Sequence, residues 1–264
     1  MLDLFLSSKL VVMKMLLTLC AIPCLILFNT TIHAQDEKPL TLEQEKSAFQ
    51  AADAALNKAY QTAKSTLSEW EFSELQEDQR EWIEFRDSSS QSSAVYDDGP
   101  QFEEREESST AFWRTMKFLT QTRARIIKGW TEGTDRENFW DGEWTDGYGG
   151  WLRILQDEDT GTFRFFIEVV RGPTYHLGML SGQAKTNGSM AFFSDEGTDE
   201  KTGDDPETWL IFDAAESGPR LTIRGVNTSY YHGVRAYFGG TYTWVGELDE
   251  AARKEVLTGK REGL

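Results

Sequence analysis

Residues 151–170 read WLRILQDEDTGTFRFFIEVV, and this stretch decides the fold. In its two apolar segments, WLRIL and TFRFFIEVV, hydrophobic residues recur with a period of two, the signature of a strand with one buried face. The polar cluster QDEDTG between them is a turn, so the two strands form an antiparallel pair. Downstream the pattern repeats through YHLGMLSGQAK (175–185), MAFFSD (190–195), TWLIFD (208–213), PRLTIRG (219–225) and RAYFGGTYTW (235–244), with turn clusters such as KTNGS and AAESG between. Seven or eight short strands across residues 138–247 predict an antiparallel meander, and closing it into a small barrel hides its edges. An open sandwich is the alternative. Within the last segment Phe238 and Tyr242 alternate with Tyr237 and Thr241, so one pair points inward. Gly178, Gly182, Gly233, Gly239 and Gly240 mark bulges, tight turns or close strand approaches. Residues 248–264 form a tail in which LDEAARKEVLTGK predicts a short helix.

Upstream of Trp140 the period is 3.6. Thr41 caps a helix over residues 41–69, whose Phe49, Ala52, Leu56, Ala59, Tyr60, Ala63 and Leu67 share one face. A second helix runs from Glu71 to about Gln91, with Phe72, Leu75, Trp82 and Phe85 inward. The serine-rich SSSQSSAV and then DDGP end it, because a small polar cluster followed by Gly99 and Pro100 favours irregular chain. A third helix over 101–128 carries Phe112, Met116, Leu119 and Ile126 and stops before Gly129. The expected organisation is α+β in two domains, an antiparallel helical domain at 39–130 and a β-barrel-like meander at 138–247.

Residues 1–34 have the grammar of a signal peptide: a lysine, the apolar run LLTLCAIPCLILF, then short polar residues ending at Ala34. A start at Met13 gives the compact leader MKMLLTLCAIPCLILFNTTIHA. The apolar run is shorter than the ~20 residues a membrane-crossing helix needs. Cys20 and Cys24 lack the residues that precede a lipidated cysteine, so no stable anchor is expected after cleavage. The expected location is periplasmic or secreted. Both cysteines lie in this leader, which leaves the mature chain without a disulfide.

The formal charge is −17, and removing Asp3, Lys9 and Lys14 with the leader takes it to −18. Nucleic acid is excluded as a partner, since its phosphates need a basic surface. A cationic protein suits this charge, because a field of one sign speeds encounter. Enzyme chemistry has little to draw on. Only His176 and His232 lie beyond the leader, no cysteine remains there, and no G-x-S-x-G, H-E-x-x-H or phosphate-binding glycine motif occurs. The expectation is therefore a binding protein with no catalytic residues, no cofactor and no metal. The loop from Asp195 to Glu207 carries seven carboxylates but lacks the spacing of a calcium loop. It reads as a solvated acidic loop, and Asp195, Glu196, Asp199, Glu200, Asp204 and Asp205 are candidates for contact with a cationic partner.

Two segments of the helical part stand out together: D-A-A-L-N-K-A-Y at Asp53–Tyr60 and Q-R-E-W-I-E-F-R-D at Gln79–Asp87. In order and separation they resemble the paired motifs of the LprI-type lysozyme-inhibitor family, over about residues 43–125. The matching residues are Asp53, Leu56, Asn57, Tyr60, Gln79, Arg80, Trp82, Arg86 and Asp87. Members of that family often tie the two helices with a disulfide, and Phe49 and Ser90 stand in those neighbourhoods here. The resemblance implies a paired-helix fold and non-covalent occlusion of a cationic lysozyme. The residues themselves read mainly as a structural set, with Arg86 forking onto Asp53 to lock the helices in register. Two other readings stand beside inhibition: a barrel that holds a small apolar ligand, and a structural envelope module.

Overall fold

The computed structural model describes residues 39–99, 106–132, 139–157, 159–172, 174–196, 206–214 and 219–261. The leader lies outside them. Among the described residues no helix is long and apolar enough to cross a membrane.

Three helices come first: α1 (Leu42–Thr66), α2 (Glu69–Asp98) and α3 (Thr110–Glu132). Thr41 caps α1 through a capping box with Gln44, and Ser68 caps α2 in the same way with Glu71. Each box satisfies two otherwise orphaned amides and sets where the helix begins. α2 runs on through the serine segment that was expected to end it. The hydroxyls of Ser90 and Ser92 turn back onto the carbonyls of Arg86 and Ser88. Ser90, Ser93 and Ala94 are buried, so small side chains here serve close helix packing rather than a loop. Termination comes at Gly99, whose φ of 93° only glycine adopts readily.

α3 is the central helix. α1 and α2 both pack on it, through Leu56, Ala59, Ala63, Leu75, Trp82, Leu119 and Ile127, and scarcely approach each other. Near the start of α1, the buried carboxylate of Glu45 pairs with Lys117 of α3 at 2.7 Å. The three expected helices thus form an up-down-up bundle.

Eight antiparallel strands follow in meander order and close into a barrel, β8 pairing with β1. They are β1 (Gly142–Thr145), β2 (Gly150–Asp157), β3 (Thr162–Arg171), β4 (His176–Asn187), β5 (Met190–Ser194), β6 (Trp209–Ala214), β7 (Arg220–Val226) and β8 (Gly240–Gly246). β2 pairs with β3 across the QDEDTG turn from Gly150↔Val169 to Asp157↔Thr162. The inward residues Leu152, Ile154, Phe163, Phe165, Ile167, Leu180, Leu210, Phe212, Leu221 and Tyr242 form one buried cluster. Phe163 and Phe165 both meet Phe212 edge-on at 5.2 Å. This interior is packed solid with side chains, which opposes a hollow ligand barrel. Phe238 and Tyr242 are the inward pair, with Tyr237 and Thr241 outward.

β4 pairs with β5 only over its last three residues. Beyond that point its free edge is met by a bridge from Gly178 to His232, which follows a 3-10 turn. A Cβ at Gly178 would stand 2.6 Å from the Cβ of His232, so glycine is required for this close approach. At Gly182 a side chain would collide with the Phe193 ring. The outward Phe166 is covered by Leu248 and by Val256 of α4 (Glu250–Thr258), the expected terminal helix.

Bundle and barrel meet along α3 and β8. Gly129 does not end α3; it lies inside the helix where α3 touches β8. A Cβ there would overlap the carbonyl oxygen of Trp244 and lie 3.2 Å from Thr243 Cγ2. Arg125 pairs with Glu143 of β1 at 2.6 Å, and the Trp130 indole donates to Thr243 Oγ1 at 3.3 Å.

Candidate functional site

The motif residues on α1 and α2 fall into an interior set and a surface set. Leu56 and Trp82 are buried, and Tyr60 packs on Phe72 with ring centroids 5.3 Å apart. Trp82 is fully buried, with the guanidinium groups of Arg86 and of Arg123 of α3 at 5.2 Å and 5.6 Å from its ring centroid. Gln79 accepts from Arg123 Nε at 2.7 Å, and Asp78 pairs with Arg123 Nη1 at 2.6 Å. A buried cation thus carries two charge-assisted bonds and an aromatic face, the conditions under which its burial is tolerated. Arg86 does not reach Asp53. Its Nε and Nη2 both bond to Asp87 Oδ1, while Asp53 accepts from Asn57 one turn along its own helix at 3.0 Å. The expected inter-helix fork fails because α1 and α2 address α3 instead of each other. Asn57 and Arg80 are exposed.

From Asp78 the polar chain continues into the barrel. Tyr148, in the β1–β2 turn, donates its hydroxyl to Asp78 Oδ1 at 3.2 Å and sets its ring edge-on to Phe85. Burial, and then the Asp78 charge, push the Tyr148 phenol well above its usual pKa. In the same turn Asp146 accepts from the amides of Tyr148 and Gly150 and pairs with Arg171 at 2.6 Å. Burial opposes the charge on Arg171, but the Asp146 carboxylate, with Tyr242 and Tyr237, raises its pKa above the ordinary arginine value. Arg171 also donates to the Tyr148 and Tyr237 carbonyls. Tyr242 is fully buried, donates to the Phe238 carbonyl at 3.0 Å, and has its phenol pKa raised by burial and by Asp146. Neither Arg171 nor the β1–β2 turn carries a sequence motif. Only the buried-strand context of a lone arginine signalled this ladder.

The acidic loop is divided. Asp195 is buried: it accepts from the Thr208 amide at 2.8 Å and from the Tyr231 hydroxyl at 2.9 Å, tying β5 to the segment that guards the β4 edge. It is withdrawn from the surface and presents no charge to a partner, a correction to its candidacy. Glu196 is exposed, and Asp199, Glu200, Asp204 and Asp205 lie outside the described residues. A denser acidic surface, marked by no motif, lies on α2, which carries ten carboxylates against two arginines. Glu69, Glu74, Glu77, Glu81 and Glu84 are exposed, and Trp70 stands 62% exposed among them. Among the described residues no cluster of metal-ligating side chains occurs.

These features define an α+β protein in which a helical bundle is joined to a filled eight-stranded barrel through the Tyr148–Asp78 and Trp130–Thr243 hydrogen bonds and the Arg125–Glu143 pair. The family model described as Lysozyme inhibitor LprI matches residues 34–127, the span of the bundle. Over that span the chain is similar to this family, and the barrel lies beyond the match. No curated protein and no solved structure matches the chain at a significant level.

Proposed function

We propose that this chain is an exported lysozyme inhibitor that occludes a cationic lysozyme without covalent chemistry. The observation that carries the reading is the family match over residues 34–127. The formal charge of −17 supports it, because it draws a cationic partner in from a distance. The exposed carboxylates of α2 concentrate that field on the matched region, and Trp70 supplies an aromatic of the kind that anchors interfaces. The filled barrel favours this reading over a small apolar ligand held inside it.

The test is the lysis of a peptidoglycan suspension by several lysozymes with increasing mature chain, from Gln35 onward. Stoichiometric protection against at least one lysozyme supports inhibition. Undiminished lysis by every lysozyme at molar excess of the chain refutes it. A structural envelope role has no observation of its own that favours it.

A further inference from the structure

A cleft of about 350 Å³ opens where α2 and α3 face the β7–β8 side of the barrel. Its volume is at the small end of the range for small-molecule sites. We propose that this cleft binds a neutral saccharide, with Tyr237 as the stacking platform and Glu74 and Arg220 as the groups that hold a sugar hydroxyl between them. The proposal is independent of lysozyme inhibition.

The charges in the cleft come first. Glu74 and Asp78 from α2 and Asp146 from the β1–β2 turn face Arg123 and Arg220, with Arg171 paired behind Asp146. Asp78 pairs with Arg123 and Asp146 with Arg171, which leaves one carboxylate, Glu74, facing one guanidinium, Arg220, in a chain whose formal charge is −17. A charge-balanced cleft on so acidic a protein selects neither anions nor cations, and its ligand is neutral. Glu74 and Arg220 line the same cleft, yet neither forms an ion pair or hydrogen bond among the described residues. Opposite charges that face one space without meeting leave room for a group that donates to one and accepts from the other. A hydroxyl does both at once.

The walls supply the second half of the recognition. The Arg220 guanidinium lies over the Trp130 ring at 4.8 Å, which fixes its position without using its N–H donors. Tyr237 has one face fixed by the buried Arg171 guanidinium, 4.5 Å from its ring centroid, and is still 54% exposed. It is a flat aromatic surface held rigid from behind, so little side-chain freedom is lost when a ligand stacks on it. Gly239 and Gly240 line the floor. A Cβ at Gly240, where φ is 150°, would stand 3.8 Å from Asp146 Oδ2, so glycine here keeps the cleft open beside the Asp146–Arg171 pair. A flat apolar face beside closely spaced donors and acceptors matches a pyranose ring, which has C–H bonds on its faces and hydroxyls around its rim.

The experiment is saturation-transfer NMR and calorimetric titration of the full mature chain with two probes, triacetylchitotriose and cellotriose. The expected result is saturable one-to-one binding of at least one sugar, weakened roughly ten-fold or more by Tyr237→Ala and by Arg220→Ala. Both side chains lie outside the buried core, and unchanged circular dichroism confirms that the variants fold. Binding of both sugars supports a general saccharide site. Binding of triacetylchitotriose alone supports an amino-sugar site. No transfer to either sugar at millimolar concentration overturns the proposal, as does an affinity that neither substitution changes. Lysozyme protection measured on Tyr237→Ala keeps the outcome separate from the inhibitor reading.

Discussion

Gly129→Ala tests how closely the bundle and barrel are joined. On an ordinary helix this change is stabilising, because alanine exceeds glycine in helix propensity by about 1 kcal/mol. Here the added methyl overlaps the Trp244 carbonyl oxygen, a backbone atom of β8 that cannot swing aside. Restoring ordinary contact requires α3 to retreat by roughly 1 Å. That movement loosens the Arg125–Glu143 pair and the Trp130–Thr243 hydrogen bond together. Overpacking of this kind costs about 1–3 kcal/mol before the propensity gain is subtracted. The expected net result is a loss of up to about 2 kcal/mol, read as a lower urea midpoint with an unchanged slope. In a domain of this size it corresponds to a drop of at most about 4–8 °C in the melting midpoint. A variant more stable than the parent, by the propensity difference, would refute the close approach of α3 to β8.

Other perturbations probe the buried polar ladder and the core. Trp82→Ala removes a fully enclosed indole and exposes two guanidinium groups to a void, so a loss of about 3–5 kcal/mol in chemical denaturation is expected. Arg171→Leu leaves the Asp146 carboxylate without its cation, with an expected cost of about 3–5 kcal/mol by the same measurement. The raised phenol pKa values of Tyr148 and Tyr242 dictate the alkaline behaviour. A group whose folded pKa lies above its unfolded value stabilises fully below the unfolded value, and loses that contribution as pH rises beyond it. Stability in a pH series should therefore decline above about pH 10. Tyr242→Phe should lower the neutral-pH baseline and flatten that decline. An equally steep decline in the variant would contradict the assignment to Tyr242.

Much of this architecture is legible in the sequence because its burial is periodic. TFRFFIEVV declares its inward face by alternation, and the second aromatic face at Phe166 becomes intelligible once α4 covers it. Thr41 and Gln44 announce the start of α1 by their spacing. Where reading fails, residues act through tertiary context. The segment 88–93 looks like a loop, but the buried Ser90 and Ser93 let α2 pack closely, Ser93 bonding to both Tyr175 and Thr115. Gly129 looks like a helix terminus and is instead a contact point with a strand more than a hundred residues away. β1 is four residues long and was implied only as the eighth strand of a closed barrel. Trp82 was legible as core from its place on the apolar stripe. Its two flanking arginines were not, since Arg123 comes from a different helix. Asp195 shows the same limit in reverse: an acidic loop reads as solvated, yet its first residue is buried as a hydrogen-bond hub.

The most direct test of the central claim is the salt dependence of association between the mature chain and a cationic lysozyme, measured by surface-immobilised kinetics alongside peptidoglycan lysis. Occlusion guided by an acidic surface predicts stoichiometric protection and an association rate that falls steeply as ionic strength shortens the field to ~8 Å near physiological salt. No detectable complex, or a complex that leaves lysis at its full rate, would contradict it.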